Sequence, residues 1–529
     1  MNAITIRAVD FSYGQHDHAA GAAKALDGVT VSIAKGDFLA VLGSKGSGKS
    51  TFIRLCNALL RPTIGAVCIH GLDSSDASQA WEIRSRSGMI FQDPDSQIIG
   101  ATVAEDVAFG PENLGLSPEI IQSRVRAALL TVGLEHSAES ATHLLSDLQK
   151  LRLSLAGVLA MEPDCILVDE ATALLDPAGR REIGALLQSL NRERGITIVQ
   201  VTRDREEAVN ADRIIVLDDG KIMLDGTPAQ VLSCLPALEE ADRELTQEAA
   251  DLSAPQAAKK RATLFKKMTG LHYSPGGSIL HSSDPRTKIA LTLLLMTAVF
   301  MLKSFTALLL LLAIVLALAS SAGKPLQQSL RGLKLILYLA VVAVAANLVS
   351  IKGTPVIDYG VLRHVSREAI AVSAAMLLRI IILASAASIV TFTTTPLALA
   401  GGLERLLKPL NRIGVPVSDL AMMLLIALRF LPVIVEEAEK LIQTQTARSV
   451  DFNRGSLLQR TRSYLPLFIP LFAAVARKGD ALATAMDARC YRGSAARTRM
   501  RPLEYSGADL ACVAVMMLIW SMAAFVEMQ

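Results

Sequence analysis

The pattern of apolar and polar positions changes character once along the chain, near Leu280. Before that point, short apolar runs alternate with polar stretches of helical spacing. "FLAVLG" predicts a strand followed by a glycine loop and a helix. "CILVDE" and "ITIVQVT" predict further buried strands, and "RIIVLDDGKIML" predicts a hairpin. Strands alternating with helices predict an α/β domain with a mostly parallel sheet, over residues 1–235. A polar, charged linker is expected over 236–283. Its Lys259, Lys260, Arg261, Lys266 and Lys267 either sit against anionic headgroups or form a solvated helix face.

From Asp284 to the end, over 284–529, long apolar segments predict an all-α polytopic membrane domain. About 20 apolar residues span a bilayer as a helix. The candidates are Thr287–Leu302, Phe305–Ala322, Leu333–Ser350, Ala369–Thr395 and Ala508–Val526, with Lys303 and Ser304 as a tight turn after the first. Lys324, Arg331 and Lys334 lie between the second and third, which fits a cytoplasmic N-terminal domain by the positive-inside rule. Leu397–Glu504 mixes apolar faces with arginines and carboxylates, and predicts amphipathic helices on the cytoplasmic side. Arg379 falls inside a span and must face protein, water or a headgroup, its role open.

Composition agrees with two unlike halves. The hydrophobic share is 51% and mean hydropathy +0.40, high for a soluble chain and low for one wholly in the membrane. The net charge of +3 gives no global sign of nucleic acid as a partner. Six scattered cysteines with no Cys-x-x-Cys pair predict reduced thiols, not a disulfide framework or zinc site. "MNAITIRAVDFSYG" has neither the basic nor the apolar region of a signal peptide.

The candidate chemistry begins with "GSKGSGKST": Gly43, Ser44, Lys45, Gly46, Ser47, Gly48, Lys49, Ser50 and Thr51. It lies between a predicted strand and a predicted helix, the setting a phosphate loop requires. Backbone N–H groups would close around phosphates, Lys49 would reach the β- and γ-phosphates, and Ser50 would ligate Mg²⁺. In "CILVDEAT" a buried strand delivers Asp169 to the same metal, and Glu170 follows as a candidate to polarise the attacking water. Gln92 in "MIFQDPD" is a candidate sensor of γ-phosphate or Mg²⁺. Tyr13 is a candidate to stack on adenine, or a core aromatic.

These motifs resemble those of ATP-binding cassette ATPases. "FQDPDSQIIGATVAEDVAFGPENLGL" narrows the resemblance to the ATPases of energy-coupling-factor transporters, over about the first 235 residues. It implies a Q-loop role for Gln92, metal binding by Asp169, catalysis by Glu170 and a D-loop role for Asp176. Two positions depart from the family. The Leu-Ser-Gly-Gly-Gln signature reads Leu145, Ser146, Asp147, Leu148, Gln149, and the Thr-His-Asp histidine is Arg203. Lys45 also replaces a common Asn, a change that backbone-driven binding tolerates.

From about Ser274 the chain resembles the transmembrane coupling subunit of the same transporters, through "DPRTKIAL", "TFTTTPLALAGGLERLLKPL", "ALRFLPVIVEEAEKLIQTQTARSVDF" and "ATAMDARCYRG". The family's coupling helices carry Ala-Arg-Gly motifs, here Ala447-Arg448-Ser449 and Ala488-Arg489-Cys490. Arginines on such helices can enter an acidic groove on an ATPase, or merely satisfy the positive-inside rule. The resemblance implies ATP-driven import of a vitamin or transition-metal ion at a bacterial-type cell membrane, with the ATPase cytoplasmic. It also implies a second ATPase subunit and a separate small substrate-capture protein. Asp147 would set a like charge near the phosphate of a head-to-tail partner, and Leu148 would crowd the approach. A nucleotide-binding scaffold with vestigial hydrolysis, and a membrane-anchored regulator, stay open as alternatives.

Overall fold

A computed structural model describes residues 2–13, 24–239, 283–302, 304–321, 334–350, 354, 366–447, 457–493, 497–501 and scattered positions between 507 and 521. The chain divides into two compact units, one of residues 1–256 with 429–502, the other of residues 257–428 with 503–529.

Among the described residues of the first unit ten strands form two sheets. They are β1 (Asn2–Ser12), β2 (Lys24–Ala34), β3 (Phe38–Leu42), β4 (Ile64–Ile69), β5 (Leu72–Asp73), β6 (Ser87–Ile90), β7 (Cys165–Asp169), β8 (Thr197–Val201), β9 (Arg213–Asp218) and β10 (Lys221–Gly226). One sheet is antiparallel, in the order β2-β1-β4-β5. The other runs β10-β9-β3-β8-β7-β6 and is parallel except for the β9–β10 hairpin. Every residue of β3, β7 and β8 is buried. That is why "FLAVL", "CILVD" and "TIVQV" are continuous apolar runs: a parallel strand covered on both faces has no solvent side to mark with polar residues.

The predicted strands therefore stand, and the chemistry-bearing residues sit where this topology places ligands, at the carboxyl ends of β3, β7 and β8. The helix Val103–Asn113 begins at a capping box. The Thr102 hydroxyl accepts from the Glu105 amide, and Glu105 accepts in return from the Thr102 amide.

In the second unit the helices Pro285–Met301, Phe305–Ser321, Lys334–Ser350 and Arg367–Thr393 occupy four of the five expected spans. The fifth lies mostly outside the described residues. Leu295, Val299, Leu308, Leu311 and Ile382 form a packed core between the first, second and fourth of them. The first three helices have 17 residues each, about 25 Å at 1.5 Å per residue.

Among the described residues two helices are long and apolar enough to cross a membrane: Arg367–Thr393 and Val417–Ile442. The second was expected among the amphipathic cytoplasmic helices. It passes the test of length and composition because Arg429 is its single charge between Asp419 and Glu436. Arg379 faces protein: its Nη2 donates to the Leu302 carbonyl at 2.8 Å, beyond the C-terminus of Pro285–Met301. A cation there satisfies an orphan carbonyl and complements the helix dipole.

Candidate nucleotide site and coupling groove

The phosphate loop leaves β3 and enters the helix Lys49–Leu55 through Gly48 at φ 97°. A Cβ there would run into the Ala25 carbonyl oxygen, so this turn demands glycine. Lys49 is buried, and its Nζ donates to the carbonyls of Gly43 (2.9 Å) and Ser44 (2.6 Å). Burial pushes its ammonium below the usual lysine range, opposed by Glu170, whose Oε1 is 3.4 Å away.

Ser50 Oγ donates to Asp169 Oδ1 at 3.0 Å. Burial raises the Asp169 carboxyl above its ordinary value. A hydroxyl and a buried carboxylate at this separation, beside a lysine turned toward backbone carbonyls, fit a Mg²⁺–nucleotide. Ser50 and Asp169 would hold the metal, Lys49 and the loop amides the phosphates, and the metal would neutralise phosphate charge. The Tyr13 hydroxyl is 3.0 Å from Thr51 Oγ1, and its ring meets Phe11 edge-on, so Tyr13 stands beside the phosphate loop.

Glu170 follows β7 at φ 45°, with its backbone N–H on the Val201 carbonyl. Arg203 holds the carboxylate with both arms of its guanidinium. Nη2 lies 2.8 Å from Oε2, and Nε donates to Oε1 at 3.1 Å. Gln92 lines the same cleft, with Glu170, Thr172, Arg180 and Arg203. Asp176 caps the helix Pro177–Arg194, accepting from the Gly179 amide at 2.9 Å.

The signature positions start the helix Asp147–Leu159. Ser146 and Gln149 form a capping box, so the Ser hydroxyl and the Gln amide are engaged with the helix's own backbone. Asp147 stands exposed in the first turn, where a carboxylate complements the helix dipole, 3.9 Å from Lys150 Nζ. Leu148 beside it is half-buried. Its Cδ1 comes within 3.6 Å of where a Gly179 Cβ would lie, and it packs against the domain core. Of the two lost glycines, the one replaced by Asp147 changes the exposed surface more.

Arg448 lies outside the described residues. Arg489 follows the helix Leu457–Ala488, in the same unit as the cassette, and its side chain is 4% exposed. Its Nη1 lies 3.2 Å from Oδ2 of Asp106, itself fully buried. The guanidinium lies over Gly157, where an added Cβ would come within 3.1 Å of Nη2. The Arg489 carbonyl accepts from Asn113 Nδ2 at 2.9 Å. Cys490 adopts φ 62°, so the third position of the Ala-Arg-Gly motif favours glycine for its left-handed backbone as well as for close packing.

The chain continues across the cassette beyond the motif. Trp81 Nε1 donates to the Cys490 carbonyl at 3.2 Å, and Arg492 lies over the Trp81 ring. Arg497 grips Glu112 at 2.6 and 3.1 Å. Met500 enters the cassette core.

Sequence reasoning missed Asp106, Asn113, Glu112, Trp81 and Arg497. One signal was available, a carboxylate on the buried face of "VAEDVAFGPEN", but its partner lies 383 positions away.

The chain is similar to known proteins in both halves. The family model described as ABC transporter matches residues 26–173, and that described as cobalt transport protein matches residues 276–500. The energy-coupling factor transporter ATP-binding protein EcfA1 of Clostridium novyi is 49% identical over 223 residues, 42% of this chain and 80% of that protein. The energy-coupling factor transporter transmembrane protein EcfT of Ruminiclostridium cellulolyticum is 42% identical over 259 residues, 49% of this chain and 97% of that protein. A putative ABC transporter ATP-binding protein of Bifidobacterium longum is 30% identical over 509 residues, 93% of this chain and 61% of that longer protein. Fold and site thus define an ATP-binding cassette joined to a helical membrane component. The chain belongs to the energy-coupling factor transporter family, as a fusion of its ATP-binding and transmembrane proteins.

Proposed function

We propose that this chain couples ATP hydrolysis to import of a micronutrient, a vitamin or a transition-metal ion, across a bacterial-type cell membrane that it crosses several times. Residues 1–235 serve as the cytoplasmic ATPase, 236–283 as linker and 284–529 as the coupling domain. The observation that carries the reading is the burial of Arg489 on Asp106. A cation from the C-terminal half seated in the cassette makes a motion of the cassette a motion of the coupling helix. In this reading Arg489 engages the chain's own cassette and Arg448 that of a second ATPase subunit.

Substrate capture falls to a separate small membrane protein. ATP and Mg²⁺ bind through Lys49, Ser50 and Asp169, with Gln92 sensing them, Tyr13 beside the base and Asp176 at the subunit junction. Cassette sites form between two subunits, and Asp147 would face the other subunit's phosphate, so the productive site pairs Glu170 here with an intact partner signature. A second reading draws on the Arg203 clamp: Glu170 is held back, the partner does the turnover and this cassette is a nucleotide-holding scaffold. Native mass measurement of the complex purified from membranes tests the assembly. The expected result is one copy of this chain with a different ATPase and a capture protein. Two copies of this chain alone, actively transporting, would overturn it.

A further inference from the structure

Arg429 belongs to neither Ala-Arg motif, and nothing in the sequence separates it from an arginine stranded in an apolar helix. It lies within Val417–Ala447, in the run "LLIALRFLPVIV". A cation in such a run needs partners, because desolvating it alone costs several kcal/mol. Its partners lie in the cassette, in the same unit. Nη1 donates to the Gly100 carbonyl and, at 2.7 Å, to Thr142 Oγ1.

These two acceptors come from different functional segments. Gly100 lies downstream of Gln92, and Thr142 opens the turn Thr142–Leu144 that leads into the signature positions Leu145–Gln149. Thr142 Oγ1 also donates to the Gly100 carbonyl at 3.0 Å, and the Thr142 amide to the Ala101 carbonyl at 3.0 Å. On its other side the Gly100 peptide meets the Arg489 site. Asp106 Oδ1 accepts from the amides of Ile99 (2.6 Å) and Gly100 (3.0 Å), while its Oδ2 faces Arg489. Two arginines from two different helices thus hold one stretch of backbone, Arg429 through its carbonyl and Arg489 through the carboxylate that binds its N–H groups. The salt bridge Lys478–Glu437, at 3.3 Å, ties those helices together.

We propose that Arg429 is a third coupling residue, a positioning group that locks the segment after Gln92 to the segment before the signature, so that both move with the Val417–Ala447 helix when nucleotide binds. This rests on the coupling reading above. An arginine suits the task because one planar guanidinium nitrogen reaches two acceptors at once, whereas a lysine is a point charge on a flexible stem.

The test is amide hydrogen exchange on the full chain in lipid nanodiscs, with and without MgATP, reading residues 99–102 and 142–149 separately. In the unaltered chain both segments should respond to MgATP together. Arg429→Ala should speed exchange at 142–149 about tenfold or more, the scale of losing a hydrogen bond from a charged donor. It should also leave that segment unresponsive to MgATP, with ATP affinity unchanged.

Arg429→Lys should restore part of the response, which a merely space-filling role would not require. Thr142→Val, which removes the acceptor and keeps the shape, should reproduce the loss if Arg429→Ala fails to fold. Arg489→Ala is run in parallel. If it abolishes the response while Arg429→Ala and Thr142→Val behave as the unaltered chain, the Arg429 proposal falls and the coupling reading stands. If none of the three alters the response, both fall.

Discussion

Replacing Arg203 by His should speed ATP hydrolysis, and the structure sets how much. Arg203 occupies both oxygens of Glu170, through Nη2 at 2.8 Å and Nε at 3.1 Å. An attacking water that uses Glu170 as its base competes with these two bonds for the carboxylate lone pairs. A hydrogen bond to a charged group contributes about 1.5–3 kcal/mol. The Glu170 side chain is 8% exposed but that of Arg203 is 49% exposed, so water replaces part of what is lost. A net cost of about 1 kcal/mol remains after that discount. At 1.36 kcal/mol per tenfold, releasing the clamp should raise the rate about fivefold.

Arg203→Ala isolates this term, since alanine releases Glu170 and adds nothing. Arg203→His should exceed it, because a neutral imidazole brings an acceptor nitrogen for the water and guanidinium has none. The assay is phosphate release by the complete complex at saturating MgATP, with nucleotide affinity measured alongside to show unchanged binding. Rates at or below the unaltered value for both variants would refute the reasoning, and Arg203 would then be a working part of the site.

Glu170→Gln should lower hydrolysis by the complete complex about a hundredfold or more, on the scale of acid–base groups, while ATP still binds. Nearly full activity in that variant would favour the scaffold reading. Arg489→Ala leaves the buried Asp106 without its cation, though still held by the Ile99 and Gly100 amides, a loss of up to about 3–5 kcal/mol. The double variant Arg448→Glu, Arg489→Glu should therefore abolish uptake by whole cells at unchanged ATP affinity, and normal uptake would return both arginines to a topological role. Burial pushes the Cys490 thiol up from 9.0 to about 12. Since the thiolate is the nucleophile and Cys490 is buried, maleimide at pH 8 should label Cys490 more than about tenfold more slowly than the exposed Cys234, read by peptide mass. Arg489→Ala should largely remove that protection.

The amino-acid sequence alone determined the parts whose physics is local. A phosphate loop is a backbone turn with a fixed glycine pattern, so Gly43–Thr51 and its flanking strand and helix were legible at once. Buried parallel strands announce themselves as unbroken apolar runs, and β3, β7 and β8 did so. Apolar length marked Ala369–Thr395 as a membrane candidate and the mixed run Leu397–Glu504 as cytoplasmic, but neither told that Arg429 turns its charge to Gly100 and Thr142.

What only the tertiary structure decided was pairing across long separations. Asp106 reads as one more carboxylate on an amphipathic helix until Arg489 is set against it. Arg203 reads as a lost histidine until its guanidinium is seen holding both oxygens of Glu170. The packing of Leu148 over Gly179 is likewise legible only in the fold. In each case the sequence supplied the residue type, which fixes what a side chain can do. The fold supplied its neighbour and direction, and for a charge or an apolar group in a close-packed interior these decide what it does.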